Sequence, residues 1–253
     1  MSNTYSVSIK GSEVKSITIS CAQDMGRRSY QEDSVTFCGL KNGAAAVVAD
    51  GMGGLKDGKQ LSSNVTEKML EGIKAFSADI PIHKQFSSLI EEINGYAAGS
   101  GSGSTVCAVY CCSKGVFWCS VGDSRLYLIR NGKICRMTED GDYFNMLLEL
   151  VIGGSLSLES ADSDPQRDYL FQYIGADKRL SPDCSIRPLI PEKGDSLLIC
   201  SDGVYNALSD EELAKIVPEK VPGSARRIAE QVMAKDIPSQ DNLTALVMGF
   251  DVE

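Results

Sequence analysis

The sequence predicts an α+β fold: a four-layer αββα sandwich, with two antiparallel β-sheets face to face and helix pairs outside. Three observations carry this. Strand-like runs come in blocks and helical runs come in pairs between the blocks, unlike the βαβ alternation of a Rossmann fold or a TIM barrel. Asn131-Gly132 separates two strand runs and suits a two-residue hairpin turn, because both central positions need positive φ. The 253 residues, 43% of them apolar, are enough to fill a core between two sheets.

The elements follow in order. Strand runs are expected at Val14–Ala22, Ser34–Gly39 and Ala44–Ala49, each bounded by turn residues and rich in small or β-branched side chains. Leu61, Val65, Met69, Ile73 and Phe76 recur at helical spacing, as do Ile82, Phe86, Leu89 and Ile93, so a helix pair follows. These stripes read as core faces. A second strand block covers Thr105–Cys112, Val116–Val121, Arg125–Arg130 and Lys133–Met137, the last two joined by Asn131-Gly132. After Ser196–Cys200, Ser209-Asp210-Glu211-Glu212 forms a capping box, flanked by Leu208 and Leu213 at the two staple positions. A helix over Ser224–Lys235 and a strand over Thr244–Phe250 complete the chain. No linker, repeat or charge block divides it, so residues 1–253 are expected to be one domain.

Composition removes several function classes. The net charge of −9 argues against a general nucleic-acid binder. The single histidine, His83, excludes a multi-histidine zinc site, and there is no Gly-x-Ser-x-Gly elbow for it to serve. A surface helix position is its simpler explanation. Nine cysteines with no secretory leader and no Cys-x-x-Cys pair read as reduced thiols packed in a cytoplasmic protein. No apolar run is long enough to span a membrane.

The chemistry-bearing residues are carboxylates at strand ends. Asp50 closes Ala44–Ala49 and precedes Gly51-Met52-Gly53-Gly54. Asp202 closes Leu197–Ser201 and precedes Gly203. Asp123 follows Cys119–Gly122, Asp241 precedes the last strand, and Glu32-Asp33 precede Ser34. Each Asp-Gly taken alone is better explained as a strand-terminating turn. As a set, buried carboxylates need cations, and oxygen ligands without histidine or thiolate select hard ions such as Mg²⁺ or Mn²⁺. Glycine after Asp50 lets the backbone come close, so that the Gly51 carbonyl could itself be a ligand. Spacing alone does not establish that the set converges.

These residues carry a resemblance. Arg28…Glu32-Asp33, Val48-Ala49-Asp50-Gly51-Met52-Gly53-Gly54, Gly103-Ser104-Thr105, Gly122-Asp123-Ser124-Arg125-Leu126-Tyr127, Ser201-Asp202-Gly203 and Asp241-Asn242-Leu243-Thr244 occur in that order. The chain thereby resembles the metal-dependent Ser/Thr protein phosphatases of type 2C (PPM), in their compact bacterial form. The resemblance implies a β-sandwich with helix pairs on both outer faces and two Mn²⁺ or Mg²⁺ ions. Asp50 would bridge the ions, Asp202 and Asp241 would complete one, and Glu32 with the Gly51 carbonyl would serve the other. Asp123, with Asp202, would hold a weaker third ion. Arg28 would clamp the substrate phosphate, and Asp33 and Thr105 would hold water beside the metals. Two ions about 3.5–4 Å apart would then activate a water for in-line attack on phosphorus, with no phosphoenzyme. The implied partners are phosphoproteins, the substrates of a Ser/Thr kinase, and a monomer is expected.

Two positions depart from the family pattern. Met52 stands where some members carry a histidine that could protonate the leaving group. Asn206 stands where relatives often carry an acid, so weak occupancy of the third ion site is expected. The segment 141–175 takes the place of the family's variable flap. Its apolar run Leu147–Ile152 suits either a short helix packed on the core or a docking surface for substrate.

Rival readings are weighed on the same residues. Cys119-Ser120-Val121-Gly122-Asp123-Ser124-Arg125 matches the Cys-x-x-Gly-x-x-Arg phosphate loop of cysteine-dependent phosphatases. That loop should open a helix, whereas Leu126–Ile129 runs into a hairpin, and Asp123 would repel a phosphate dianion. Residues 101–104 lack the Gly-Lys-Ser/Thr ending of a nucleotide loop. A phosphatase-like module with weak catalysis, acting by binding, remains the alternative. The retained acids and Arg28 speak against it.

Overall fold

The computed structural model describes residues 2–8, 14–52, 57–217 and 221–252. Gly53 and Gly54 of the glycine run lie outside the described residues. In chain order the elements are β1 (Ser2–Ser8), β2 (Val14–Asp24), β3 (Ser34–Leu40), β4 (Gly43–Ala49), α1 (Gly58–Lys74), α2 (Ile82–Ala97), β5 (Val106–Cys112), β6 (Gly115–Val121), β7 (Arg125–Arg130), β8 (Lys133–Arg136), α3 (Tyr143–Ile152), α4 (Leu158–Asp162), β9 (Asp183–Cys184), β10 (Ser196–Cys200), α5 (Asp202–Tyr205), α6 (Asp210–Ile216), α7 (Ser224–Ala234) and β11 (Leu243–Val252).

They form two antiparallel sheets, β1-β2-β11-β10-β7-β8 and β3-β4-β5-β6-β9. The two-residue alternation of a strand explains the layers. Along β4, Ala44, Ala46 and Val48 face the other sheet and meet Ile17, Leu197, Ile199 and Met248. Ala45, Val47 and Ala49 face the opposite way, against Val65, Met69 and Phe86 of α1 and α2. On the second sheet, Leu198, Cys200, Ala245 and Val247 face outward against Leu213 of α6 and Ile228 and Val232 of α7. Both faces of each sheet are therefore buried, which gives four layers and three apolar cores. Small residues in β4 let the sheets approach closely.

Local signals hold. Asn131 and Gly132 have φ of 53° and 71°, and β7 and β8 pair on either side of them. Ser209 and Glu212 make both bonds of the capping box, and Leu208 and Leu213 are both buried. The polar β1 and the two-residue β9 are additions to the strands expected from sequence. In the segment 141–175 the apolar run does form a helix, α3, capped by Asp142, whose side chain accepts from the Asn145 amide. Leu147 is buried beneath it, and Ile152 is 87% exposed.

Candidate active site

Strand direction assembles the site. β4, β6 and β10 run toward one end of the sandwich and stop at Ala49, Val121 and Cys200; β3, β5, β7 and β11 start from that same end. The residues just beyond those limits are Asp33, Asp50, Thr105, Asp123, Asp202 and Asp241. Antiparallel pairing thus gathers at one edge acids as far apart in the chain as Asp33 and Asp241.

Asp50 is at the centre. Its carboxyl stands within hydrogen-bonding reach of those of Asp33 and Asp202, and Asp123 and Asp241 also act on it electrostatically. Burial first, then these neighbours, push Asp50 well above the ordinary carboxylate range. Burial likewise raises Asp33 to about 6, Asp202 to about 6 and Asp123 to about 7. Glu32 is raised too, by burial, against the opposing pull of Arg28. Asp33 Oδ1 and Asp202 Oδ1 are buried and receive no hydrogen bond. A proton or a cation is needed between these groups.

The remaining contacts fix positions. Asp33 Oδ2 accepts from Ser201 Oγ and Thr244 Oγ1, both at 2.7 Å, which ties β3 to β10 and β11. The Asp50 amide donates to Thr105 Oγ1 at 2.9 Å, and the Thr105 and Ser124 hydroxyls share a 2.7 Å bond. Thr105 thus holds the end of β4 in place. The Glu32 amide donates to Asn242 Oδ1 at 2.6 Å, and Asn242 Nδ2 donates to the carbonyls of Met25 and Tyr30. Gly51 N donates to the Glu32 carbonyl at 3.2 Å. A Cβ at Gly51 would lie 2.5 Å from the Gly58 carbonyl, so only glycine fits this crossing. Arg28 is exposed at the rim, with Nη2 donating to Asp241 Oδ2 at 2.6 Å. Asn206 Nδ2 donates to Asp202 Oδ2 at 3.2 Å. Tyr205 donates to the Asp123 carbonyl at 3.1 Å and stacks on the Arg125 guanidinium.

Arg28, Glu32, Asp33, Asp50, Gly51, Thr105, Asp123, Asp202 and Asp241 therefore lie at this end. Among the described residues, no three His, Cys, Asp or Glu side chains already form a closed ion cage. The site carboxylates crowd together at this edge. Their chemistry nonetheless fits hard divalent ions: the donors are all oxygen, and two of those oxygens are buried and unpaired. Ser201, Asn242 and Thr244 were present in the quoted motifs but carried no role there. Hydrogen bonds spanning 168 to 211 residues give them one. Cys119 is buried, and β7 rather than a helix follows Arg125, so the thiolate phosphate loop is absent.

The family model described as "Protein phosphatase 2C" matches residues 24–244. A putative protein phosphatase 2C-type of Streptococcus pyogenes is 35% identical over 214 residues, 80% of this chain and 85% of that one. The serine/threonine phosphatase stp of Listeria monocytogenes is 28% identical over 242 residues, covering 90% and 94%. Among solved structures, the serine/threonine phosphatase of S. agalactiae superposes with a TM-score of 0.74 at 28% identity, covering 93% of this chain and all of the other. The chain belongs to the protein phosphatase 2C family, the metal-dependent protein-serine/threonine phosphatases.

Proposed function

We propose that the chain hydrolyses phosphoserine and phosphothreonine esters by direct transfer of the phosphoryl group to water, at a centre of two Mn²⁺ or Mg²⁺ ions. The observation that carries this reading is the crowding of Asp50 against Asp33 and Asp202, with two buried carboxylate oxygens left unpaired. Asp50 follows β4 of one sheet and lies beside Asp202, which follows β10 of the other, so that it would serve both ions. Asp202 and Asp241 would complete one ion, and Glu32 with the Gly51 carbonyl the other. When bound, such ions acidify a water and neutralise charge on the phosphoryl group.

The chain's own residues do the rest. Arg28 is exposed beside Asp241 and has donors left to fork two phosphoryl oxygens, orienting phosphorus for in-line attack. Asp33, fixed through Oδ2 by Ser201 and Thr244, keeps Oδ1 free to accept a hydrogen bond from a site water. Thr105 supports the backbone of Asp50. Met52 has no proton to give, so the leaving alkoxide takes its proton from water. Asp123 with Asp202 would form a third ion site. Neutral Asn206 beside Asp202 adds no charge there and makes it weak.

The reading extends to a cytoplasmic monomer acting as one catalytic unit on substrates of a Ser/Thr kinase, with no nucleic acid or membrane partner. The test is release of phosphate from a phosphothreonine peptide by metal-stripped protein with Mn²⁺ returned. Loss of that release in Asp50→Asn, with the fold retained, supports the assignment. Full turnover in the variant rejects it.

A further inference from the structure

Two cysteines that the catalytic reading does not use stand sulfur to sulfur. Cys119 in β6 and Cys184 in β9 are directly opposite in the strand register, and their sulfurs are 3.0 Å apart. Ser185 N donates to the Trp118 carbonyl at 3.0 Å, a ladder bond that flanks the cysteine pair, and Trp118 N donates to the Ser185 side chain at 2.9 Å. Antiparallel pairs alternate, which makes Cys119 and Cys184 a non-hydrogen-bonded pair, with Cα atoms about 4.5 Å apart. That separation lies inside the range a disulfide spans, and an S–S bond of about 2.05 Å needs only a small further approach. Both thiols are free.

We infer that Cys119 and Cys184 form an oxidation site: a dithiol that a hydroperoxide converts to a disulfide, fastening the edge strand β9 to β6. The two sulfurs have different tasks. Cys119 is fully buried, while Cys184 is only partly buried and is the one an oxidant reaches. The Cys184 thiolate attacks the O–O bond and becomes a sulfenic acid, and the departing alkoxide takes a proton to leave as an alcohol. Cys119 sulfur then attacks Cys184 sulfur, and water leaves with the Cys119 proton. Two thiols lose two electrons, and one hydroperoxide gains them. In a reducing compartment such a bond is transient and responds to the oxidant.

Its place in the fold gives the bond a consequence. β9 is where the chain returns to the sheet after the segment 141–175. Asp183 in β9 accepts from the Glu139 amide at 3.0 Å, and its register partner Ser120 lies three residues before Asp123. Oxidation closes a covalent loop around that whole segment, and through β6 it anchors the strand that ends at the active-site edge.

The inference does not depend on the phosphatase mechanism and has its own test. Purified protein is treated with stoichiometric hydrogen peroxide, then alkylated, digested without reduction and mapped by mass. The expected result is a linked peptide pair containing Cys119 and Cys184, lost on dithiothreitol treatment and absent in Cys184→Ser. The oxidised protein should melt several degrees higher than the reduced protein. Cys119→Ser should leave Cys184 as a sulfenic acid that a dimedone probe labels. The inference is overturned if Cys119 stays alkylatable after denaturation while Cys184 proceeds to the sulfinic acid, or if the linked peptides contain other cysteines.

Discussion

Asp50 and Asp202 face each other across the sandwich, one following β4 of the five-stranded sheet and the other following β10 of the six-stranded sheet, with their carboxyls in hydrogen-bonding reach. Neither sheet alone could build this contact. It exists because both strands end at the same edge, and it places repulsion where the two sheets are joined. The energetic cost is the reason the site calls for cations.

That cost has a pH sign. The folded protein holds Asp33 and Asp202 at about 6 and Asp123 at about 7, all above the value for an unfolded chain. In the window from about 4 to about 7 the folded state binds more protons than the unfolded one, so stability falls as pH rises through it. Metal-stripped protein should therefore melt at a temperature ~5 °C or more higher at pH 5 than at pH 7.5. Adding Mn²⁺ at pH 7.5 should recover the difference. Calorimetry with and without metal checks both directions.

Asp50→Asn removes one charge from the crowd without changing its shape. Turnover on phosphopeptide should fall by about 10³-fold or more, the scale on which loss of preorganised charge stabilisation acts. The metal-free variant should melt higher than metal-free wild type at pH 7.5, because a repelling carboxylate is gone. A stabilised but inactive variant separates a functional group from a structural one.

The Arg28 side chain is exposed and donates to Asp241 at the rim, so its removal leaves the core intact. Arg28→Ala should lower kcat/KM by roughly 10²-fold and weaken inhibition by inorganic phosphate. Arg28→Lys should restore the charge but not the fork, and so recover only part of the loss. Steady-state kinetics with phosphate as inhibitor checks this.

Asn206 donates to Asp202 Oδ2. Asn206→Asp replaces that donor by a second carboxylate. The variant should be less stable when stripped of metal and should show a stronger response to high Mn²⁺ than wild type. Isothermal titration with Mn²⁺ reads the added weak site directly.

Gly203 tests packing rather than charge. A Cβ there would stand 2.0 Å from the Asn242 carbonyl oxygen, a clash of backbone with backbone that no rotamer relieves. Gly203→Ala should cost about 2–3 kcal/mol and lower the melting temperature by roughly 5–10 °C. It should also lower activity, because Asp202 and Asp241 flank that contact.

Much of this was legible in the residues. The capping box at Ser209 and the turn at Asn131-Gly132 are local, and local chemistry decides them. β4 was readable as a continuous apolar run because both of its faces are buried, although it shows no alternation. β1 was not readable: Ser2–Ser8 is polar apart from Tyr5 and Val7, and only pairing with β2 makes it a strand. β9 exists solely as two residues laid against β6. At the site, the acids announced themselves as carboxylates at strand ends. The anchors Ser201, Asn242 and Thr244 did not, because an ordinary hydroxyl or amide acquires its role only when distant strands meet. The Cys119–Cys184 contact was hidden for the same reason, and Cys119 drew notice only through a phosphate-loop pattern that β7 refutes.

The most direct test of the central claim is phosphate release from a phosphothreonine peptide, measured on chelator-stripped protein, after Mn²⁺ is returned, and after thiol alkylation. A carboxylate-held metal centre predicts no release under chelation, recovery with Mn²⁺, and little loss on alkylation. Release that survives chelation but dies on alkylation would contradict it and move the chemistry to a cysteine.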